Sequence, residues 1–335
     1  QSSGRSGHCH RWSQPGLVAA AQSLFGCRLV RLAVIGVGYL GQHHARILST
    51  LPGVQLAGVV DINRDRAAKV ASEYGVAAFT DWREVRGAVD AVTVATPTET
   101  HLAIAEPLLH DGIHVLVEKP MTRTTADADR LLEAASRSGA RFAVGHTERF
   151  NPAVAAARNM IAEPRFIEVH RLGTFPDRSL DIDVVFDLMI HDLDLVLDFV
   201  PGEVTSIDAV GVPVLTPRID IANVRLRFST GCIANLTASR ISRDRVRKMR
   251  FFQRDSYVSI DYSSQELEVW RLVSKDGGMP TIEGGKLDVP REEPLKRELE
   301  DFVAAVRDHR APGVTGSAGR AALALAEKIV ERMTV

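Results

Sequence analysis

Short apolar runs alternate with amphipathic stretches between Arg31 and His146. Each run has the length of a buried strand, and each stretch repeats apolar residues at helical spacing. Strands that alternate with helices in this way predict an α/β fold with a parallel, doubly wound Rossmann sheet. The predicted strands are Leu32–Ile35, Leu56–Val60, Ala91–Ala95, His114–Val117 and Phe142–Val144, and the predicted helices are Leu40–Leu51, Arg64–Tyr74, Thr100–His110 and Ala126–Ser138.

The pattern changes after Pro152, where runs with the composition of strands predominate. A very apolar helix is predicted around Phe186–Val200, and Ser229-Thr230-Gly231 has the composition of a hairpin turn. We therefore expect a C-terminal α+β unit with a largely antiparallel open sheet. Its strands are predicted at Arg165–Leu172, Thr205–Val212, Ile219–Phe228, Cys232–Ala238, Met249–Phe252, Tyr257–Tyr262 and Leu267–Leu272, and its other helices at Ala153–Ile161, Pro294–Asp308 and Ser317–Met333.

The composition is that of an ordinary globular protein, with 45% hydrophobic residues, 25% charged residues and a formal net charge of −1. This balance provides no electrostatic attraction to nucleic acid or to an anionic membrane, and no apolar run is long enough to span a bilayer. Cys9, Cys27 and Cys232 are scattered without metal-ligand spacing. We therefore expect neither a disulfide framework nor a zinc site, and a cytoplasmic location.

Residues 1–29 fit neither pattern. Gln1–Gln14 is polar and rich in glycine and serine, and Leu17–Phe25 is weakly apolar. A lipoprotein signal ending at Cys27 is one interpretation, but Gln22 interrupts the apolar stretch and bulky Phe25 disfavours cleavage. We expect a leader that is disordered or not native to the protein.

The clearest chemical motif is Gly36-Val37-Gly38-Tyr39-Leu40-Gly41, which joins the first predicted strand to the first predicted helix. Glycines there permit a tight turn, approach of the backbone to a pyrophosphate, and packing of helix on strand. The second strand runs into Asp61, whose carboxylate can accept hydrogen bonds from the adenosine ribose and repels a 2′-phosphate. Nearby Arg64 opposes that preference. We predict an NAD site, with NADP disfavoured, formed by Gly36, Gly38, Tyr39, Leu40, Gly41 and Asp61.

Two polar turns follow later strands of the same sheet. Thr96-Pro97-Thr98 with His101 follows one strand, and Glu118-Lys119-Pro120 follows the next. Because the carboxyl ends of parallel strands meet at one edge, these turns should lie beside the glycine loop. Lys119 there can polarise a carbonyl or an alcohol, although a solvated surface lysine is the simpler interpretation. We assign cofactor contacts to Thr96, Pro97, Thr98, His101, Glu118 and Lys119.

Charged residues form a stripe along the predicted apolar helix. Asp187, His191, Asp194 and Asp198 fall at positions i, i+4, i+7 and i+11. A carboxylate beside an imidazole holds its tautomer, so Asp187 and His191 are predicted to line a polar cleft, with His191 as a base. Exposure to solvent is the simpler interpretation for Asp194 and Asp198. No further ligand cluster accompanies the stripe, and no metal is expected.

Together these motifs resemble the glucose–fructose oxidoreductase/inositol dehydrogenase/MocA family over residues 30–335. The resemblance also includes Gly145-His146. It implies hydride transfer between a secondary alcohol of a sugar ring and a nicotinamide, with Lys119, Asp187 and His191 as catalytic residues. We expect an NAD-binding domain at 30–148, a substrate-binding and oligomerisation domain at 149–335, and a homo-oligomer, either a dimer or a tetramer.

Weaker features concern the substrate. Glu148–Pro152 and Phe186–Asp192 look most like family members that act on UDP-N-acetylhexosamines, such as UDP-N-acetylglucosamine 3-dehydrogenases. Arg240–Arg254 contains seven basic residues and one acidic residue, with arginines alternating at 243, 245 and 247. Such a strand face is usually solvated, but arginine forks also suit a diphosphate. We assign substrate contacts to Lys119, Arg149, Asn151, Arg171 and His191.

Three other functions remain open. The chain could be a dehydrogenase of a free sugar or a cyclitol, which the same catalytic residues would serve. It could be a non-catalytic dinucleotide sensor, which would need the glycine loop but not Lys119, Asp187 and His191 together. Some family relatives instead use tightly held NAD to cleave glycosides by transient oxidation. We expect a small-molecule partner, and neither nucleic acid nor a membrane.

Overall fold

The computed structural model describes residues 29–175, 182–273 and 279–334. The expectation of a leader at 1–29 therefore lies outside the described residues, apart from its last position. Within the described ranges, the chain forms two sheets. No described helix has the length and apolar character that a membrane crossing would need.

The first sheet has six parallel strands in the order β3-β2-β1-β4-β5-β6. This confirms the predicted Rossmann topology. The three-residue strand β3 was not predicted, because a run so short carries no recognisable pattern. The strands are β1 Val30–Ile35, β2 Val54–Val60, β3 Ala77–Phe79, β4 Ala91–Val94, β5 His114–Glu118 and β6 Phe142–Gly145, and the helices between them are α1 Gly41–Leu48, α2 Arg64–Tyr74, α3 Thr98–His110 and α4 Thr125–Ser138.

Local signals set the ends of two of these helices. Asn63 accepts a hydrogen bond from the backbone N–H of Arg66 at the start of α2, and Gly75 ends α2 at φ 65°. Thr124 and Gly139 do the same for α4. Polar N-caps and left-handed glycines satisfy backbone groups that a helix leaves unpaired. In contrast, α1 begins after Leu40 with no side-chain cap.

The second sheet has eight strands in the order β14-β13-β12-β11-β7-β10-β9-β8. Its only parallel pair within the described ranges is β7–β10, so the predicted, largely antiparallel sheet is confirmed. Strand β14 was not predicted, because it is almost wholly exposed and contains Gly284-Gly285. The strands are β7 Phe166–Leu172, β8 Val204–Val212, β9 Ile221–Phe228, β10 Ile233–Ser239, β11 Val246–Phe252, β12 Ser256–Asp261, β13 Glu266–Val273 and β14 Thr281–Leu287.

Four further helices pack on the sheets, and they are α5 Pro152–Ala157, α6 Ile190–Phe199, α7 Pro294–Arg307 and α8 Gly316–Glu331. Helix α6 buries Leu193 and Val196 against the second sheet. Helix α7 instead returns to the first sheet, where Leu299 and Phe302 share a core with Leu32 of β1. The sequence prediction had grouped all residues after 149 together. By its packing, however, α7 belongs with the glycine-loop sheet.

A buried charge cluster fixes the segment that leads into α6. Both oxygens of Asp220 are bonded, with Oδ2 accepting from the N–H groups at 214, 215 and 216 at 2.7–2.9 Å and Oδ1 accepting from Thr216 Oγ1. Arg240 Nε lies 3.1 Å from Asp220 Oδ1, and its Nη2 donates to the carbonyl oxygens of Ile182 and Ile219. Arg240, counted in the basic stretch, is therefore a buried structural residue.

We expect Asp220→Asn to lower the free energy of unfolding by about 2–3 kcal/mol at pH 7. Burial opposes the charge of Asp220, but its backbone donors outweigh burial and lower its pKa from 3.8 to about 2. That stabilisation is complete above pH 3.8 and is lost as pH falls toward about 2. Urea titrations between pH 7 and pH 3 should therefore show that the difference in free energy of unfolding between parent and variant becomes smaller below pH 4. Exposed Asp208→Asn is the control. A difference in free energy of unfolding that stays constant with pH would contradict stabilisation by the charged Asp220 carboxylate.

Candidate active site

The loop after β1 lies directly against the turn after β4. Gly36 has φ +85°, and a Cβ there would lie 2.7 Å from Thr96 Cγ2 and 2.8 Å from the carbonyl oxygen of Ala95. A Cβ on Gly41 would lie 1.7 Å from the carbonyl oxygen of Gly36. These two glycines are therefore required by contacts within the protein itself.

Gly38 has different surroundings from these two glycines. A Cβ there would meet no atom within 4 Å beyond its neighbours in the chain, so the space above the loop is open. The uncapped N-terminus of α1 begins beside this space. A helix N-terminus carries partial positive charge and presents N–H groups to phosphate. The residues present therefore fit a pyrophosphate at Gly38.

Exposed apolar side chains surround this loop. Tyr39 is 62% exposed, Leu40 is 39% exposed and Ile62, which follows β2, is 95% exposed. Such surfaces suit the flat rings of a dinucleotide. Ile62 was not assigned a contact from the sequence, although its place after the acidic end of β2 was a usable signal.

Asp61 joins the end of β2 to the glycine loop. Its Oδ2 accepts from the N–H of Val37 at 3.1 Å, and its Oδ1 accepts from the N–H of Asn63 at 2.9 Å. The cation beside it is half-exposed Arg66, with Nη1 3.3 Å from Oδ2. The sequence had pointed to Arg64. Arg66 lies two positions after Arg64 on α2, so its side chain, not that of Arg64, turns back toward β2.

His101 does not reach the open cleft as predicted. It is 1% exposed, and its Nε2 and Nδ1 lie 2.9 Å and 3.0 Å from the carbonyl oxygens of Thr96 and Pro120. Burial lowers its pKa, which favours the neutral ring. His101 therefore connects the turn after β4 to the turn after β5. Exposed Pro97 and partly exposed Thr98 remain at that edge.

Glu118 is also buried, so its predicted cofactor contact is corrected. It is 6% exposed, with Oε1 3.1 Å from Nε2 of His44 on α1 and Oε2 accepting from the N–H of Lys119 at 3.3 Å. Burial acts to raise its pKa, but the hydrogen bond and charge of His44 outweigh burial and lower it. Glu118 therefore positions the Lys119 turn against α1.

Glu298 of α7 completes this buried cluster, and the sequence prediction missed it. It is 2% exposed and accepts a hydrogen bond from Thr147 Oγ1 at 3.1 Å. Burial and the neighbouring charge of Glu118 raise the pKa of Glu298 well above its usual value. Two carboxylates near each other in a dry site cannot both be charged at low cost. We assign the charge to Glu118 and the proton to Glu298.

Lys119 and Asp187 contact each other, a pairing that the sequence analysis does not predict. Lys119 Nζ donates to the carbonyl oxygen of Asp187 at 2.7 Å and lies 3.6 Å from its Oδ1. Burial lowers the pKa of Lys119, and the charges of Asp187 and Glu118 only partly oppose that shift. A lysine with a lowered pKa gives up or takes a proton more readily near neutral pH.

The predicted Asp187–His191 hydrogen bond is absent from the described part of the chain. Residues Val185–Met189 form a π-helical turn ahead of α6, and its i→i+5 bonding removes Asp187 from the position one α-turn before His191. The Asp187 carboxylate faces Lys119 instead. His191 Nδ1 is buried and has no partner among the described residues.

His191 is held in its uncharged form by its surroundings. Burial, followed by the positive charges of Lys119 and Arg171, lowers its pKa well below the usual value. Its ring stands edge-on to His146, with ring centroids 6.1 Å apart. His146 is 1% exposed and follows β6. The sequence analysis includes His146 only as part of a motif and assigns it no role.

The predicted substrate contacts of Arg149 and Asn151 are corrected. Arg149 binds Asp194 in a bidentate ion pair and also binds Asp198, all at 2.6–2.7 Å. Asp194 is 1% exposed, so it does not face solvent. Asn151 is 1% exposed, caps α5 through the N–H of Ala153, and donates to the Tyr262 carbonyl oxygen. These side chains serve the fold.

Arg171 is likewise paired with other residues of the protein. It is 4% exposed and forms a bidentate ion pair with Asp192 at 2.7 and 2.9 Å. Its Nη1 also binds Glu148 Oε1 at 3.1 Å. Burial disfavours its charge, but these two carboxylates raise its pKa above the ordinary arginine value. Among the described residues, no group of three metal-ligating side chains could hold an ion.

We expect Gly38→Val to abolish NAD binding while leaving the melting temperature unchanged. The added side chain meets only the open space where a pyrophosphate must approach. Gly36→Ala is the contrasting variant, because a left-handed conformation costs an alanine about 1–2 kcal/mol and its Cβ would clash with Thr96. It should therefore lower the melting temperature. Calorimetric NAD titration and thermal unfolding measure both effects. Parental NAD affinity in Gly38→Val would show that this loop is not the cofactor site.

Comparisons with known proteins agree with this geometry. A model of the GFO/IDH/MocA oxidoreductase family, NAD-binding Rossmann fold, matches residues 30–146, and the GFO/IDH/MocA C-terminal domain model matches residues 155–255. UDP-N-acetylglucosamine 3-dehydrogenase of Acidithiobacillus ferrooxidans is 41% identical over 90% of this chain and 96% of its own. A solved structure of that enzyme aligns with a TM-score of 0.85 and 40% identity, over 91% of this chain and 98% of its own.

More distant relatives broaden the group. Inositol 2-dehydrogenase of Rhizobium meliloti is 27% identical over 90% of this chain and 96% of its own. A levoglucosan dehydrogenase structure has a TM-score of 0.81 at 19% identity, over 91% of this chain and 97% of its own, which shows the shared fold. Both family models match in order along the chain, and a relative shares two-fifths of its residues over nearly its whole length. The chain therefore belongs to the glucose–fructose oxidoreductase/inositol dehydrogenase/MocA family of oxidoreductases.

Proposed function

We propose that this protein is an NAD-dependent dehydrogenase that oxidises a ring hydroxyl of a UDP-N-acetylhexosamine, with UDP-N-acetylglucosamine as the substrate. The observation that carries the proposal is the uncharged His191 near the partly buried Lys119, at the carboxyl edge of the glycine-loop sheet. The substrate class comes from the similarity to the Acidithiobacillus ferrooxidans enzyme, which spans almost the full length of both chains.

The proposed cofactor is NAD rather than NADP. The Asp61 carboxylate lies under the glycine loop and would repel a 2′-phosphate. Arg66, which contacts Asp61, is the cation that could offset this repulsion. Because both oxygens of Asp61 also accept backbone N–H groups, the carboxylate is held in place, whereas the half-exposed Arg66 is not. This difference favours the ribose diol over the phosphate.

The proposed mechanism uses two residues on the substrate oxygen. Bound NAD supplies the nicotinamide ring that accepts the hydride. His191, whose pKa is held well below its usual value, takes the hydroxyl proton of the substrate. Lys119 donates to the oxygen as negative charge develops there, and Asp187 holds Lys119 through its carbonyl oxygen.

A free cyclitol or sugar is the second candidate substrate. The relatives include inositol 2-dehydrogenases, one of which spans most of this chain. The ion pairs of Arg149 and Arg171 also remove the two arginines that had been assigned to the substrate. The greater similarity to the nucleotide-sugar enzyme favours the first candidate.

We expect Lys119→Met and His191→Ala each to lower kcat by about 10²–10⁴ without weakening NAD binding, because each removes a group that acts on the substrate oxygen. Exposed Lys69→Met and exposed His110→Ala are matched controls. Since the pKa of His191 lies well below 6.5, kcat/KM of the parent should show no loss of this base until the pH falls below 6.5. Near-parental rates in both active-site variants would favour the dinucleotide sensor.

The substrate and cofactor are tested by one set of specificity constants. We expect kcat/KM for UDP-N-acetylglucosamine to exceed those for myo-inositol and glucose by about 10-fold or more, because a charge-assisted hydrogen bond contributes about 1.5–3 kcal/mol. The reactions are run with NAD and with NADP, and NAD should be preferred. Activity on the free polyols alone would overturn the substrate assignment. Equal turnover with NADP would overturn only the cofactor assignment.

A further inference from the structure

Arg247 lies on the side of the second sheet that faces α6. Strand β11 pairs with β7 so that Arg247 is opposite Arg171 and Met249 is opposite Val169. Val169, Arg171 and Met249 are all buried on the α6 side of the sheet. Because side chains alternate along a strand, Arg247 shares that side, at the end of β11 nearest the Arg171–Asp192 ion pair.

The carboxylates around Arg247 are already bonded to other cations. Arg171 engages both Asp192 and Glu148, and Lys119 faces Asp187. The other two basic residues of β11 have acidic partners as well, which are Asp261 for Lys248 and Glu168 for Arg250. Within the described ranges, the guanidinium of Arg247 has no ion pair or hydrogen bond.

The positive charge of Arg247 acts on His191, the candidate catalytic base. It is one of the positive charges that lower the pKa of His191, together with Lys119 and Arg171. Arg247 itself is exposed at this end of β11, so its guanidinium is open to a ligand. An arginine remains charged beside another cation. A cation in this position gains by meeting an anion that the protein does not supply.

We propose that Arg247 binds a phosphate oxygen of a nucleotide-sugar substrate and thereby selects a diphosphate-linked sugar over a free one. This inference rests on the proposed function and narrows the basic stretch Arg240–Arg254 to one arginine as the diphosphate contact. The planar guanidinium can donate two parallel hydrogen bonds to phosphate oxygens. A neutral cyclitol offers no charge to match, so it would leave Arg247 unpaired.

The test compares Arg247→Met and Arg247→Lys with Arg225→Met, an exposed arginine on β9 as control. For each variant, KM and kcat are measured with UDP-N-acetylglucosamine, and calorimetry measures UDP binding to the NADH-saturated enzyme. A lost charge-assisted contact should raise KM and the Kd for UDP by about 10- to 100-fold in Arg247→Met. The kcat should change little, and Arg247→Lys should lie between. Unchanged melting temperatures establish that each variant is folded.

The outcomes separate this inference from the function on which it rests. If the parent oxidises UDP-N-acetylglucosamine and Arg247→Met keeps the parental KM and UDP affinity, Arg247 is not the phosphate contact and the proposed function stands. A fall in kcat with KM unchanged would mean that Arg247 acts only through His191, and would also overturn the inference. If the parent oxidises free polyols but not the nucleotide sugar, the proposed function and the inference fail together.

Discussion

A guanidinium buried away from water must be paired on more than one side, and Arg171 meets that constraint by binding groups from two separate parts of the chain. Its bidentate partner Asp192 follows His191 on α6, and its second partner Glu148 lies two residues after His146. The strand that carries Arg171 lies in the second sheet, whereas Glu148 follows the last strand of the first. One charge cluster thus links the segment after the first sheet, the second sheet and α6, beside both histidines.

The chemistry of the cleft follows from what these pairings leave uncharged or unpaired. The lowered pKa values of His191 and Lys119 share their main cause, which is burial. The positive charges of Lys119 and Arg171 add to this effect at His191, whereas the charges of Asp187 and Glu118 partly oppose it at Lys119. Below the lysine, the Glu118–Glu298 pair holds a single negative charge against His44, so the turn that carries Lys119 is fixed from the side opposite the cleft.

Repeating patterns made most of the fold predictable. Long alternations of apolar runs and amphipathic stretches identified both sheets, whereas β3 and β14 were missed because one is short and the other is exposed and glycine-containing. The glycine loop and Lys119 were predictable because strand ends define one edge of a parallel sheet. The partner of Asp187 could not be predicted, because the π-helical turn at Val185–Met189 breaks the α-helical spacing from which a contact with His191 was inferred. Nor does sequence reveal which arginine is buried and paired, because that depends on contacts such as Arg149–Asp194 between distant segments.

Helix α7 has a consequence for how the chain is made. Its Leu299 and Phe302 complete the core beneath β1, yet more than two hundred residues separate them from that strand. During synthesis the six-stranded sheet therefore emerges with one apolar surface uncovered until α7 leaves the ribosome. Contacts this distant in sequence slow folding and prolong the exposure of apolar surface. The six-stranded sheet is thus synthesised before the eight-stranded sheet, but its core is completed only after the strands of that second sheet have been made.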